Sequence, residues 1–291
     1  MRPQPGTCQG PDRHTRRPKF QLPEKSCDCH AHVFGPQAIN PFSPDRSYTP
    51  EDCTADQYLN MLDTIGVARA VLVQGGPHGT DNTATLAAIK QAGDRFRGVA
   101  VIPSGLPQHE RADLHRQGIR GVRMSTVVRG GVGFDHLENL SAECEEFGWH
   151  VMLHLHTSNE LVDLVPRLKK TSSPFMLDHL GRVRADEGME SPGFKALMDL
   201  LDTDRCWIKL ASLYRLSSET YPHADMLPLI HKVVEARPDR IVWGSNWPHP
   251  IHAGPMPNDG DLVDLIPLWV PDASHQEQML VTNPATLYGF E

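Results

Sequence analysis

The sequence predicts an α/β protein built as a single (β/α)8 TIM barrel behind a polar N-terminal arm. Three observations carry that reading. Eight short apolar or β-branched runs alternate with stretches of helical period. At 291 residues the chain is slightly longer than a usual barrel of this type and can bury a large core. Polar residues recur at the C-terminal ends of the apolar runs, where such barrels collect their chemistry. An open doubly wound sheet is the nearest alternative, but no glycine-rich phosphate loop follows any run.

Taken in order, residues 1–25 are rich in Pro, Arg, Lys and Gln and nearly free of periodic apolar positions, which predicts a flexible or surface-wrapped arm. The barrel domain is expected over 26–291, with strands at 26–32, 69–74, 96–102, 119–125, 150–156, 174–179, 206–212 and 240–246. Helices are expected between them at 55–65, 82–93, 107–117, 137–147, 159–170, 193–203 and 222–236, with one more near 274–281. Strand alternation places Asp28, His30 and His32 on one face of the first strand, so that two imidazoles sit side by side. Such a pair can hold a metal ion or move protons.

Composition narrows the function classes. A formal net charge of −8 argues against a general nucleic-acid or anionic-membrane binder, so an anionic ligand has to be met by local arginines. Six scattered cysteines without a paired CxxC read as reduced thiols in a cytoplasmic protein rather than a zinc knuckle or disulfide framework. No apolar run is long enough to span a bilayer, and the N-terminus lacks a signal-like apolar segment.

The strand ends supply the candidate site: His30 and His32, Gln74 with nearby His78, Arg123, Ser125 and Arg129, His154 and His156, Asp178 and His179, Tyr214 and Arg215, and Asn246 with His249. Several have bland readings. His154 could be a packed core histidine, His249 a rigid-turn residue between Pro248 and Pro250, and Tyr214 and Arg215 an ordinary surface loop. A lumenal Arg123 is costly unless it meets an anion, which favours ligand binding there.

The motifs DCHAHVFGP (28–36), HGTDN (78–82), LDHLGR (177–182), VWGSNWPHP (242–250) and NPATLYGF (283–290) together resemble the amidohydrolase superfamily. The likeness is greatest to its lactone-processing branch, which includes hydrolases of pyrone dicarboxylate and sulfomuconolactone and a galactarolactone isomerase. It implies a barrel with the paired histidines His30 and His32 on strand one, His179 on strand six and an acid on strand eight. In the pyrone hydrolases that acid is a metal-free general base. Here the position is Asn246, an amide with no proton affinity near neutral pH.

Two solutions follow from the resemblance. A zinc ion on His30, His32 and His156 could deliver hydroxide, with His179 handling protons and His249 donating to the carbonyl oxygen. Alternatively Asn246 marks a metal-independent isomerase. A barrel that binds a small acid without turnover is a third reading. The resemblance also assigns carboxylate or sulfonate recognition to Arg123, Arg129 and Arg215, helped by Tyr48, Gln74, His78, Asn82 and His154. The expected partner is a small acidic lactone of aromatic catabolism, with no nucleic acid and no membrane. Oligomeric state stays open, a homo-oligomer being compatible with the sequence.

Overall fold

The computed structural model describes residues 5–291, so the first four residues of the expected arm lie outside the described region. Eight parallel strands pair in sequence order: β1 (Cys27–Ala31), β2 (Arg69–Val73), β3 (Phe96–Ala100), β4 (Ile119–Ser125), β5 (His150–His154), β6 (Phe175–Leu177), β7 (Cys206–Leu210) and β8 (Ile241–Trp243). Helices α1 (Ala55–Ile65), α2 (Thr83–Ala92), α3 (Gln108–Arg116), α4 (Leu137–Glu145), α5 (Glu160–Leu168), α6 (Pro192–Leu201) and α7 (Leu227–Ala236) alternate with them. This is the predicted (β/α)8 barrel.

Alternation along the strands sorts the core into two shells. Val71 and Val73 of β2, Met152 of β5 and Met176 of β6 fill the lumen with Cys27, Cys29 and Trp207, and Tyr288 and Phe290 pack against them from the chain's end. Ala70, Leu72, Val151 and Leu153 point the other way, into the layer beneath the helices. Helix α1 shows how sequence starts and stops such an element: Thr54 and Gln57 form a capping box, Gly66 closes it in a left-handed conformation, and Tyr58, Met61, Leu62 and Ile65 form its buried face.

The ring closes at a seam between β1 and the segment after β8. There the Asn246 N–H donates to the His30 carbonyl at 2.8 Å, and the His32 N–H donates to the Trp247 carbonyl at 2.8 Å. Asp28 clasps the same seam, accepting from the Ser245 N–H at 2.9 Å, from the Ser245 hydroxyl, and from the Tyr58 hydroxyl at 2.8 Å. Gly244 makes this approach feasible, because a Cβ there would lie 2.6 Å from His30 Cβ.

Several boundaries differ from the sequence reading. Strand β6 stops three residues after it starts, because the backbone turns left-handed at His179 and Leu180, each with φ of 51°. Strand β5 ends at His154 rather than reaching 156. The expected helix near 274–281 is present within a continuous helical stretch over 273–288, which widens to a π-helix at Gln278–Thr282, and two short helices, Asp259–Asp264 and Ile266–Trp269, precede it. The described part of the arm lies along the barrel mouth: Gly6–Thr7 pairs with Tyr48–Thr49, and Asn258 bonds to Asp12, the His14 carbonyl and the Arg16 N–H. No helix among the described residues is long and apolar enough to cross a membrane.

Candidate active site

Asp28, His30 and His32 do not share a face. Cys27 and Cys29 point into the lumen and Asp28 outward, towards Tyr58 of α1. The register then shifts between Asp28 and Ala31, turning His30 inward alongside His32. Their Nε2 atoms lie 3.3 Å apart, and both residues are buried. His32 holds its Nδ1 2.7 Å from the Val73 carbonyl, and His179 holds its Nδ1 3.1 Å from the Ala211 carbonyl. A carbonyl only accepts, so both rings carry their proton on Nδ1 and present a bare Nε2.

His30 Nδ1 faces Asp178 at 3.2 Å, and behind both stands Lys209, a fully buried lysine of β7. The Lys209 ammonium lies 3.4 Å from Asp178 and 3.3 Å from His30 Nδ1. Burial works against the Asp178 charge, yet His30 and Lys209 hold its carboxyl well below the ordinary range. Burial pushes the His30 imidazole well below its usual value, and Lys209 adds to that against the pull of Asp178. His32 and His179 are each pushed down to about 3, mainly by burial, with Arg123 beside both. The cluster is therefore three neutral imidazoles around one buried carboxylate–ammonium pair.

Such a donor set fits a metal ion. Among the described residues, His30, Asp178 and His179 place ligand atoms within 4.8 Å of one another. The Lys209 ammonium only donates and lies 3.3 Å from His30 Nδ1, so His30 carries its proton on Nε2 and gives it to the bare Nε2 of His32; a metal ion bound there would take that proton's place. The expected third ligand does not join them. His156 falls beyond the end of β5, is exposed, and donates its backbone N–H to Glu160 at 2.9 Å. The strand ends one alternation too early to aim it inward, and His179 stands where His156 was expected.

Arg123 is 5 % exposed and is fixed by two acceptors: the Gln74 carbonyl at 3.2 Å and His154 Nδ1 at 2.9 Å. Ser125 also donates to His154 Nδ1, at 3.1 Å, so His154 is a neutral ring protonated on Nε2. Tyr48 is buried close enough to Arg123 and Arg215 to feel both charges. Arg215 donates to the Pro250 carbonyl at 2.6 Å. Arg182, which the sequence reading passed over inside LDHLGR, lies near Arg215 and His179. Each of Arg123, Arg182 and Arg215 keeps a buried Nε without a partner.

Other candidates are spent on architecture. Gln74 donates to the Gly79 and Asp81 carbonyls and accepts from Thr85. Asn82 ties its loop to Val101 by two bonds of 3.0 Å. His78 accepts from the Gly35 N–H and packs against Phe34 and Phe42. Buried loop backbone needs partners, and these side chains provide them. Arg129 is exposed, and its backbone N–H donates to Ser47.

Past the seam, Asn246 adopts a left-handed backbone with φ of 68° and donates its amide to the Tyr214 hydroxyl at 3.3 Å. The Tyr214 oxygen lies 2.9 Å from His249 Nδ1, and His249 Nε2 lies 3.2 Å from Asp259. Both ring nitrogens of His249 are thus engaged, which leaves it no proton to offer a ligand carbonyl. Tyr214 also borders a cavity of about 420 Å³ lined in part by His252, Tyr221 and Asp12 and Arg16 of the arm.

Three groups here escaped the sequence reading. Lys209 had a local signal, a lone charge inside the apolar run CWIKL. Arg182 sat in a quoted motif. Asp259 had none, since it lies ten positions past His249 across a proline-rich loop.

Comparison with known proteins identifies the family and the fold. The amidohydrolase family profile matches residues 27–290. The chain is 35% identical to a 4-sulfomuconolactone hydrolase of Rhizobium radiobacter over 97% of this chain and 96% of that one. It is 37% identical to a 2-pyrone-4,6-dicarboxylate hydrolase of Comamonas testosteroni over 94% and 92%. It superposes with a TM-score of 0.81 and 30% identity on a structure from Acinetobacter baumannii described as a probable 2-pyrone-4,6-dicarboxylic acid hydrolase with citric acid bound, covering 91% of this chain and 100% of that one.

Proposed function

Because the chain belongs to the amidohydrolase family, we propose that it opens the ring of a small lactone bearing carboxylate or sulfonate groups, with a zinc ion at the histidine cluster. The observation that carries this is the convergence of Arg123, Arg182 and Arg215 on His179, each with a buried unpartnered Nε, in a chain whose net charge is −8. Arg123 faces Asp178 at 4.0 Å, but that one carboxylate also serves Lys209 at 3.4 Å, so the cations here outnumber it and an anionic ligand would relieve the excess. Guanidinium forks match planar acid groups bidentately. The names of the two hydrolase relatives and the citric acid in the related structure point to the same ligand class.

In this reading His30, Asp178 and His179 would hold the ion, with the His32 ring beside His30. Zinc so held would lower the pKa of a bound water towards about 7 and polarise a carbonyl. The protein's own groups do the rest. Arg123, braced by Gln74 and His154, seats one acid group, and Arg182 and Arg215 take another, with Tyr48 beside them. The backbone carbonyls of Val73 and Ala211 lock the tautomers of His32 and His179. Asn246 cannot accept a proton and serves as a donor.

The test is proton NMR of carboxylated, sulfonated and neutral lactones with zinc-supplemented and chelator-treated enzyme. A ring-opened acid from the acidic lactones alone supports the reading. A new lactone with its ring intact would assign the isomerase reading that Asn246 keeps open. Binding without any product would reduce the barrel to a small-acid receptor.

A further inference from the structure

We propose that Tyr214, held by His249 and Asp259, is the proton-transfer group of this site, standing in for the carboxylate that Asn246 cannot supply. The inference rests on the lactone-hydrolase reading for its substrate, but its geometry is independent of that reading. One phenolic oxygen sits between two donors: the Asn246 amide at 3.3 Å and the His249 ring at 2.9 Å. Asp259, 3.2 Å from the far nitrogen of the same ring, fixes the proton distribution. With Nε2–H on Asp259 and a second proton on Nδ1, His249 is an imidazolium aimed at the phenol oxygen. An oxygen receiving two hydrogen bonds is arranged to carry negative charge.

The surroundings agree. Burial opposes ionisation of Tyr214, but the His249 and Arg215 charges and the Asn246 amide bring its phenol down to about 8. Burial likewise opposes charge on His249, and Tyr214 and Asp259 raise it to about 9. The other charged or titratable neighbours are the Arg215 guanidinium, 5.6 Å over the Tyr214 ring, and His252, whose ring centre is 5.0 Å away. Asn246 joins this chain to the histidine cluster, since its N–H is on the His30 carbonyl. The adjoining cavity gives Tyr214 an approach from outside.

The step balances without a further reactant. As the water oxygen bonds to the lactone carbonyl carbon, the Tyr214 oxygen takes a water proton. When the ring C–O bond breaks, the same proton passes to the departing ring oxygen, and the phenolate is restored. Asp259 and His249 are positioning residues, acting through Tyr214.

Three measurements test this. In Tyr214→Phe, kcat on an acidic lactone falls by about 100-fold or more while KM stays within about threefold, the range for losing a general base. In His249→Gln, the acid limb of the pH–kcat/KM profile, near pH 8 in the parent, moves at least about one unit to higher pH as the phenol returns towards its ordinary value of about 10. Ultraviolet difference titration of the full-length protein, which needs no substrate, shows a phenolate forming near pH 8 that is absent from Tyr214→Phe. Retention of kcat within about threefold in Tyr214→Phe, or an acid limb unmoved in His249→Gln, overturns the proposal. So does a titration in which no tyrosine ionises early, even if no lactone in the panel is turned over. A normal early titration in a protein inert towards lactones would fault the substrate reading instead.

Discussion

Replacing Asp178 with Asn tests the electrostatics of the barrel lumen. Lys209 is fully buried, and its ammonium has Asp178 at 3.4 Å as its nearest carboxylate. Breaking a buried pair by removing one partner costs about 3–5 kcal/mol, because the other charge stays behind. A ceiling comes from letting Lys209 shed its proton: at pH 7 that costs about 1.4 kcal/mol for each of roughly 3.4 pH units, or about 4.6 kcal/mol. The ceiling falls as pH rises, to about 2 kcal/mol at pH 9. Urea unfolding of the metal-free protein at both pH values reads this directly. Asp178→Asn is expected to lose about 3–5 kcal/mol at pH 7 and roughly half that at pH 9, and the Asp178→Asn/Lys209→Met double variant to recover most of it. In the parent the sign is the same, but the window lies at acid pH. Asp178 has a depressed folded pKa, so its contribution is complete above the unfolded carboxylate value of about 3.9 and is lost as pH falls below it. A loss under about 1 kcal/mol at pH 7, or one unchanged at pH 9, would refute the reasoning.

Three further expectations follow from the site. His179→Ala or His30→Ala should lower bound zinc and rate together, whereas His156→Ala should leave both unchanged, as elemental analysis and kinetics would show. Arg123→Met should raise KM for acidic lactones by about 10-fold or more, the cost of one charge-assisted contact, and change KM little for a neutral lactone. Asn258→Ala removes the bonds to Asp12, the His14 carbonyl and the Arg16 N–H. Limited proteolysis should then cut the arm before residue 20 faster than in the parent, with the barrel core intact.

The barrel was legible because its signal is repeated: each apolar run needs only local alternation to be recognised, and β2, β3 and β4 lie within a residue or two of the predicted spans. The site was legible only where alternation survived. His30 and His32 were found as a pair, but Asp28 was misassigned because a register shift is invisible to a rule of period two. The resemblance gives His156 a metal role, but β5 ends at His154, two residues before it. Gln74, His78 and Asn82 looked like ligand contacts because polar residues at strand ends are ambiguous, and here loop backbone claims them. Lys209 left a local mark as a lone charge in CWIKL, but the chain from Tyr214 to Asp259 needed tertiary proximity, which no local pattern carries.

The seam between β1 and β8 also dictates when this protein can come into being on the ribosome. Asp28 waits for Ser245, 217 residues later, and the pocket wall formed by Asn246 and His249 is made only after it. Until then a nascent chain has neither closed ring nor working centre, and strand β1 presents unpaired backbone along one edge. A chain cut before Ser245 would therefore leave β1 without its closing partner, an open sheet prone to pairing with its neighbours.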